Sequence, residues 1–91
     1  MEFEWDPAKA ASNERKHGIP FEVAALVFED DERIDRLDSE LSEEEERWNA
    51  IGLADGFEIY VVYTIREEVI RLISARKASR HEREEYWNRE I

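Results

Sequence analysis

Seven cationic side chains stand out for the chemistry they could do. Arg66, Arg76, Lys77 and Arg80 lie in the C-terminal third, and Lys16, His17 and Arg47 lie upstream. If they converge, such a set suits a phosphodiester. Cutting RNA without a metal takes a base for the ribose 2′-hydroxyl proton, a cation for the charge on the phosphate oxygens, and an acid for the leaving oxygen. Arginine stays protonated and makes a poor base, but its planar fork matches phosphate oxygens. Electrostatic stabilisation of that kind is often the largest catalytic contribution. Histidine is the natural proton carrier near neutral pH, and Lys or Glu can be tuned toward it.

Each residue also has a plainer role. Arg76 and Lys77 are neighbours on an expected strand, so they point to opposite faces, and one meets solvent or a sheet carboxylate. Arg66 sits at a turn, where exposed arginine is ordinary. Arg80 precedes Glu84 by four residues on an expected helix, a spacing that favours an ion pair. Lys16 and His17 suit the negative end of a helix dipole. Other site classes find less support. Three scattered glycines make no phosphate-cradling loop. His17 and His81 are far apart and lack a spaced carboxylate pattern for a metal. The acidic segment lacks the ordered spacing of a calcium loop. No serine sits in an elbow motif, and no carboxylate pair is singled out for glycoside chemistry. Without cysteine, disulfides, thiolate zinc sites and cysteine nucleophiles drop out. No cofactor is expected.

Ninety-one residues predict one domain, 1–91, with one modest core. A hydrophobic fraction of 42% is enough for a globular fold. No apolar run reaches the roughly 18 residues of a membrane span. The acidic start, Met1 to Asp6, lacks the basic and apolar regions of a signal peptide, so a cytoplasmic protein is expected. The net charge of −11 repels nucleic acid and anionic membranes as a whole. Its distribution qualifies this. Glu29 to Glu46 holds eleven acids against two bases, whereas Arg66 to Ile91 holds seven bases against six acids.

Phe3 and Trp5 alternate with acids and predict a short strand. Asp6-Pro7 opens a helix, with Asp as N-cap and Pro in the first turn, and Gly18 closes it. Ile19-Pro20 starts a second helix whose Phe21, Ala24, Ala25 and Phe28 form an apolar stripe. Arg33 to Asp38 reads as an edge strand anchored by Ile34, and Ser39 to Glu46 as an acidic loop. Arg47 to Leu53 is a strand, Asp55-Gly56 a tight hairpin, and Phe57 to Ile65 a central strand. Val69 to Lys77 follows a turn at Arg66-Glu67-Glu68. Ser79 and Glu82 form a capping box before a last helix bearing Tyr86 and Trp87, both expected in the core. The order β-α-α-β-β-β-β-α predicts an α+β fold. A small antiparallel sheet of four to five strands packs against two N-terminal helices and a C-terminal helix, all covering one face.

The motifs add what periodicity does not. Phe3-x-Trp5-Asp6, Lys9, Asn13, Lys16-His17-Gly18-Ile19, Phe21-Glu22, Ala24, Glu46-Arg47, Ile51-Gly52, Tyr63-Thr64-x-Arg66, Arg71-x-Ile73-Ser74-Ala75-Arg76-Lys77-Ala78 and Glu82-Arg83-x-x-Tyr86 together resemble the BrnT family of type II toxins. The likeness runs from Phe3 to about Tyr86. It implies a RelE-like fold, metal-independent endoribonuclease activity that inhibits translation, and a BrnA-type antitoxin. That ribbon-helix-helix partner would neutralise the toxin and tether the complex to its operator DNA. Carried onto matching positions, it implies Arg66, Arg76, Lys77 and His17 as catalytic candidates. Lys16, Arg47 and Arg80 would support substrate binding. The base and acid stay open among Lys77, His17 and a nearby carboxylate.

The acidic composition departs from what RNA binding favours. Either the acidic loop projects away from a locally positive site, or the chain is a catalytically weak BrnT-like corepressor that binds the antitoxin. A third reading, an acidic mimic of nucleic acid, would need the acids to line one continuous surface.

Overall fold

The computed structural model describes residues 1–38 and 46–88. The elements follow the expected order: β1 (Glu2–Glu4), α1 (Pro7–His17), α2 (Phe21–Ala24), a 3-10 turn (Ala25–Glu29), β2 (Ile34–Asp38), β3 (Arg47–Ala54), β4 (Phe57–Arg66), β5 (Val69–Lys77) and α3 (Arg80–Asn88). The expected acidic loop lies outside the described residues except for Glu46.

The first helix is set by its ends. The Asp6 carboxylate accepts from the Ala8 N–H at 2.8 Å, and Gly18 takes the left-handed conformation that stops the helix (φ 73°) while donating to the Glu14 carbonyl. The expected second helix is shorter than its apolar stripe. It tightens into the 3-10 turn after Ala24, which tucks Val27 and Phe28 into the core.

The sheet runs β1-β5-β4-β3-β2. The last four strands pair antiparallel, and β1 adds in parallel to β5, making the sheet mixed. The apolar run of β4 is thus the middle strand, covered on both sides as its composition requires.

The three helices do not share one face, as the sequence reading had them. Ala50, Ile59, Val61, Tyr63, Ile70, Leu72 and Ala75 face α1, α2 and the 3-10 turn, while Ile51 packs with Ile34, Leu53 and Tyr60 against Tyr86 of α3. Side chains alternate along each strand, and the apolar run of β4 leaves hydrophobic surface on both sides. A helix on one side alone would leave the other wet. Trp87 is also not core. It is 60% exposed, and its indole N–H donates to Glu58 at 2.7 Å.

A β-bulge sits in β5. Val62 pairs with Ser74 but Tyr63 pairs with Leu72, so Ile73 is the extra residue. The bulge resets the alternation, which puts Ile70, Leu72 and Ala75 on one face despite their uneven spacing.

Two polar devices lock the layers. β1 reaches along β5 no further than Arg71. Beyond it the Asn13 amide acts as a surrogate strand, accepting from the Ala75 N–H at 3.1 Å and donating to the Ala75 carbonyl at 2.9 Å and the Ile19 carbonyl at 3.1 Å. Asp30 accepts from the Leu53 N–H (2.8 Å), the Glu32 N–H (2.9 Å) and the Tyr86 hydroxyl, tying the 3-10 turn to the sheet and to α3. Gly52 permits that approach: a Cβ there would lie 2.8 Å from Val27 Cγ1 and 3.1 Å from the Arg33 Cβ.

Candidate active site

The registers sort the cations by face. Cross-strand partners share a face, so Arg47 opposite Thr64, Arg66 opposite Val69 and Arg76 opposite Tyr60 all lie on the α3 side. Lys77, opposite Ile59, faces the other way, with its ammonium 4.4 Å from the centre of the Phe57 ring. Lys16 and His17 are exposed at the end of α1. They line a shallow groove with Lys9, Ser12 and Asn13 along the β5 edge at Ile73 and Ser74. Arg80 is on the outer side of α3 and pairs with Glu84 at 3.1 Å. The structure therefore brings Arg47, Arg66 and Arg76 onto one surface, and sets Lys77, Lys16 and His17 on the α1 side.

Arg76 is held on two sides. Its two terminal nitrogens donate to the two oxygens of Glu82 at 2.8 and 3.0 Å, and its guanidinium stacks 4.1 Å from the centre of the Tyr60 ring. The hydrogen bond to Glu82 raises the arginine above its ordinary value against the opposing pull of burial. Burial pushes the Glu82 carboxyl up, but hydrogen bonds from Arg76 and from the Ser79 backbone outweigh it and hold the carboxyl below its usual range. Burial also raises the Tyr60 hydroxyl, helped by the Glu82 charge and opposed by Arg76. Glu82 is in the last-helix capping box foreseen from sequence: it accepts from the Ser79 N–H at 2.8 Å while the Ser79 hydroxyl accepts from the Glu82 N–H at 3.2 Å. The same carboxylate thus caps α3 and grips Arg76.

Glu82 and Tyr60 were missing from the sequence-derived set, as was Arg71. The bond between Glu82 and Arg76 had one readable signal, their spacing of six across a strand end and a helix start. Arg71 had none. Five residues from Arg76 on one strand, it should face away; the bulge at Ile73 turns it to the same side. Arg71 lies opposite Thr64, with Arg47 on the other flank, and its guanidinium is 3.6 Å from Glu4.

This face can hold a polyanion. Arginine forks offer paired donors to phosphate oxygens, and Glu82 beside Arg76 offers an ionised carboxylate as proton acceptor. Among the described residues no helix is long and apolar enough to cross a membrane. Comparison with curated proteins gives no match. Residues 5–82 match the family described as "Ribonuclease toxin, BrnT, of type II toxin-antitoxin system". With most of its length covered by that match, on an α+β fold that gathers arginines on one side of its sheet, the chain belongs to the BrnT family of ribonuclease toxins.

Proposed function

We propose that this chain is a cytoplasmic endoribonuclease toxin that cleaves RNA without a metal ion and thereby inhibits translation. The observation that carries the reading is the placement of Arg47, Arg66 and Arg76 on one sheet face, with a carboxylate in contact with Arg76, in a chain of this family. In the reaction the 2′-oxygen attacks the adjacent phosphorus and the bond to the 5′-oxygen breaks, leaving a cyclic phosphate and a 5′-hydroxyl. Arg76 exchanges Glu82 for the phosphate oxygens, Glu82, released, takes the 2′-hydroxyl proton, and a solvent water protonates the departing 5′-oxygen. Arg66 and Arg47 neutralise the neighbouring charge. Lys77 and His17, on the other side of the sheet, are supporting residues at most, and Lys16 and Arg80 serve RNA bound beyond the site.

The family implies an antitoxin. A BrnA-type ribbon-helix-helix protein, basic enough to complement a net charge of −11, is the partner that fits, and it would carry the complex to operator DNA.

The test is cleavage of single-stranded RNA by the purified chain in excess EDTA. The wild type should cut. Arg76→Lys, which keeps the charge but loses the fork, should lower the rate about 100-fold. A folded wild-type protein that leaves RNA intact and does not arrest growth when expressed would defeat this reading. The Glu82 clamp on Arg76 favours one alternative, a corepressor without catalysis. That protein would tighten operator binding by its antitoxin and leave RNA whole.

A further inference from the structure

One row of side chains crosses all five strands on the α3 face: Asp38, Arg47, Thr64, Arg71 and Glu4. It reads acid, base, hydroxyl, base, acid. Arg47 and Arg71 flank Thr64 symmetrically, two strand spacings or roughly 10 Å apart. Because of the bulge, Arg71 and Arg76 face the same way, about 13 Å apart along β5. Two arginine arms reaching toward a point midway between their backbones can share one phosphate, and Arg76 stands further along the same strand for the next contacts.

Thr64 supplies a second, independent sign. It is fully buried, and its hydroxyl has no hydrogen-bond partner among the described residues. Buried hydroxyls normally find one. A phosphate held between the two flanking arginines would supply one. The Glu4 pairing of Arg71 is no obstacle. At 3.6 Å between partly exposed groups it is weak, and a phosphate exchanges readily for it. The acids at both ends of the row repel a phosphate from the sheet edges and leave its centre as the favoured position.

We propose that Arg71, with Arg47 across Thr64, forms a phosphate subsite that binds the RNA backbone beside the cleavage point. Arg71 is a binding residue of this site. The inference rests on the reading of the chain as a ribonuclease, and one experiment separates the two. The probe is a fluorescein-labelled, fully 2′-O-methylated single-stranded RNA of about ten nucleotides, which a 2′-hydroxyl-dependent enzyme binds but cannot cut. Anisotropy titrations over a range of salt compare the wild type with Arg71→Gln, Arg47→Gln and, as a control for net charge, Arg15→Gln on the exposed side of α1. Arg71→Gln and Arg47→Gln should each weaken binding about tenfold and reduce the slope of log affinity against log salt by about 0.7, the loss of one phosphate contact. Arg15→Gln should change binding less than twofold. Thermal melts confirm that each variant folds.

Unchanged affinity and slope in Arg71→Gln overturn the subsite, as does a wild type that does not bind the probe. If the wild type binds the probe with the expected dependence on Arg71 but never cuts unmodified RNA, the subsite stands and the nuclease reading falls. If the wild type cuts RNA and Arg71→Gln cuts it with unchanged KM, the nuclease reading stands and the subsite falls.

Discussion

Glu82 holds Arg76 through two parallel N–H···O bonds of 2.8 and 3.0 Å, and the same carboxylate accepts from the Ser79 N–H at the start of α3. A candidate catalytic arginine is therefore fastened to the helix cap.

That linkage predicts an acid response. The Glu82 carboxyl lies below its usual value near 4.5, so it binds a proton less readily folded than unfolded. Its contribution to stability is complete above that usual value and is lost as the pH falls through the lower, folded one. Glu82→Gln should cost about 1 kcal/mol at pH 7, reduced by the partial exposure of Arg76, and flatten the acid limb of denaturation midpoint against pH. An unchanged acid limb would show that the pair contributes nothing to stability.

Asn13 replaces a strand at the open edge of β5, so shortening it should be costly. Asn13→Ala leaves the Ala75 N–H and two carbonyls without their partner in a buried setting. A loss of about 2–4 kcal/mol is expected, and calorimetry should show a Tm fall of at least about 10 °C.

Gly52 should tolerate no side chain. The methyl of Gly52→Ala would press on fully buried Val27 and on the Arg33 Cβ of the segment that leads into β2. Urea denaturation should register a loss of about 1–3 kcal/mol with little change in m.

The β4–β5 turn offers the opposite change. Glu67 and Glu68 both hold left-handed backbone, at φ 50° and 69°, which side chains other than Asn, Asp and Gly rarely adopt. Replacing the pair with Asn-Gly should raise stability by about 1 kcal/mol, read as a higher urea midpoint.

Much of the fold was readable because local chemistry announced it. Asp6-Pro7 and Gly18 bounded α1, Asp55-Gly56 made its hairpin with both residues left-handed, and Ser79 and Glu82 formed their box. The helix-to-face assignment was not readable. The residues of β4 are apolar on both sides, so their pattern carries no preference for where α3 goes. Nor was the parallel β1, whose three residues depend on a partner more than sixty positions away. Within the candidate site, Arg76 and Lys77 were rightly expected to diverge, since neighbours on a regular strand alternate. Arg71 was hidden because a bulge leaves no mark in composition. Asp30 falls in the acid-rich stretch from Glu29 to Glu46, yet its carboxylate is one of the main ties in the structure.

The clasp of β1 onto β5 has a bearing on how the chain comes into being. Residues 2–4 wait for 69–71, Asn13 waits for Ala75, and Asp30 waits for Tyr86. During synthesis the leading segments leave the ribosome long before their partners, and contacts so distant form late. A nascent polypeptide thus stays without its finished arginine surface until nearly the last helix has emerged.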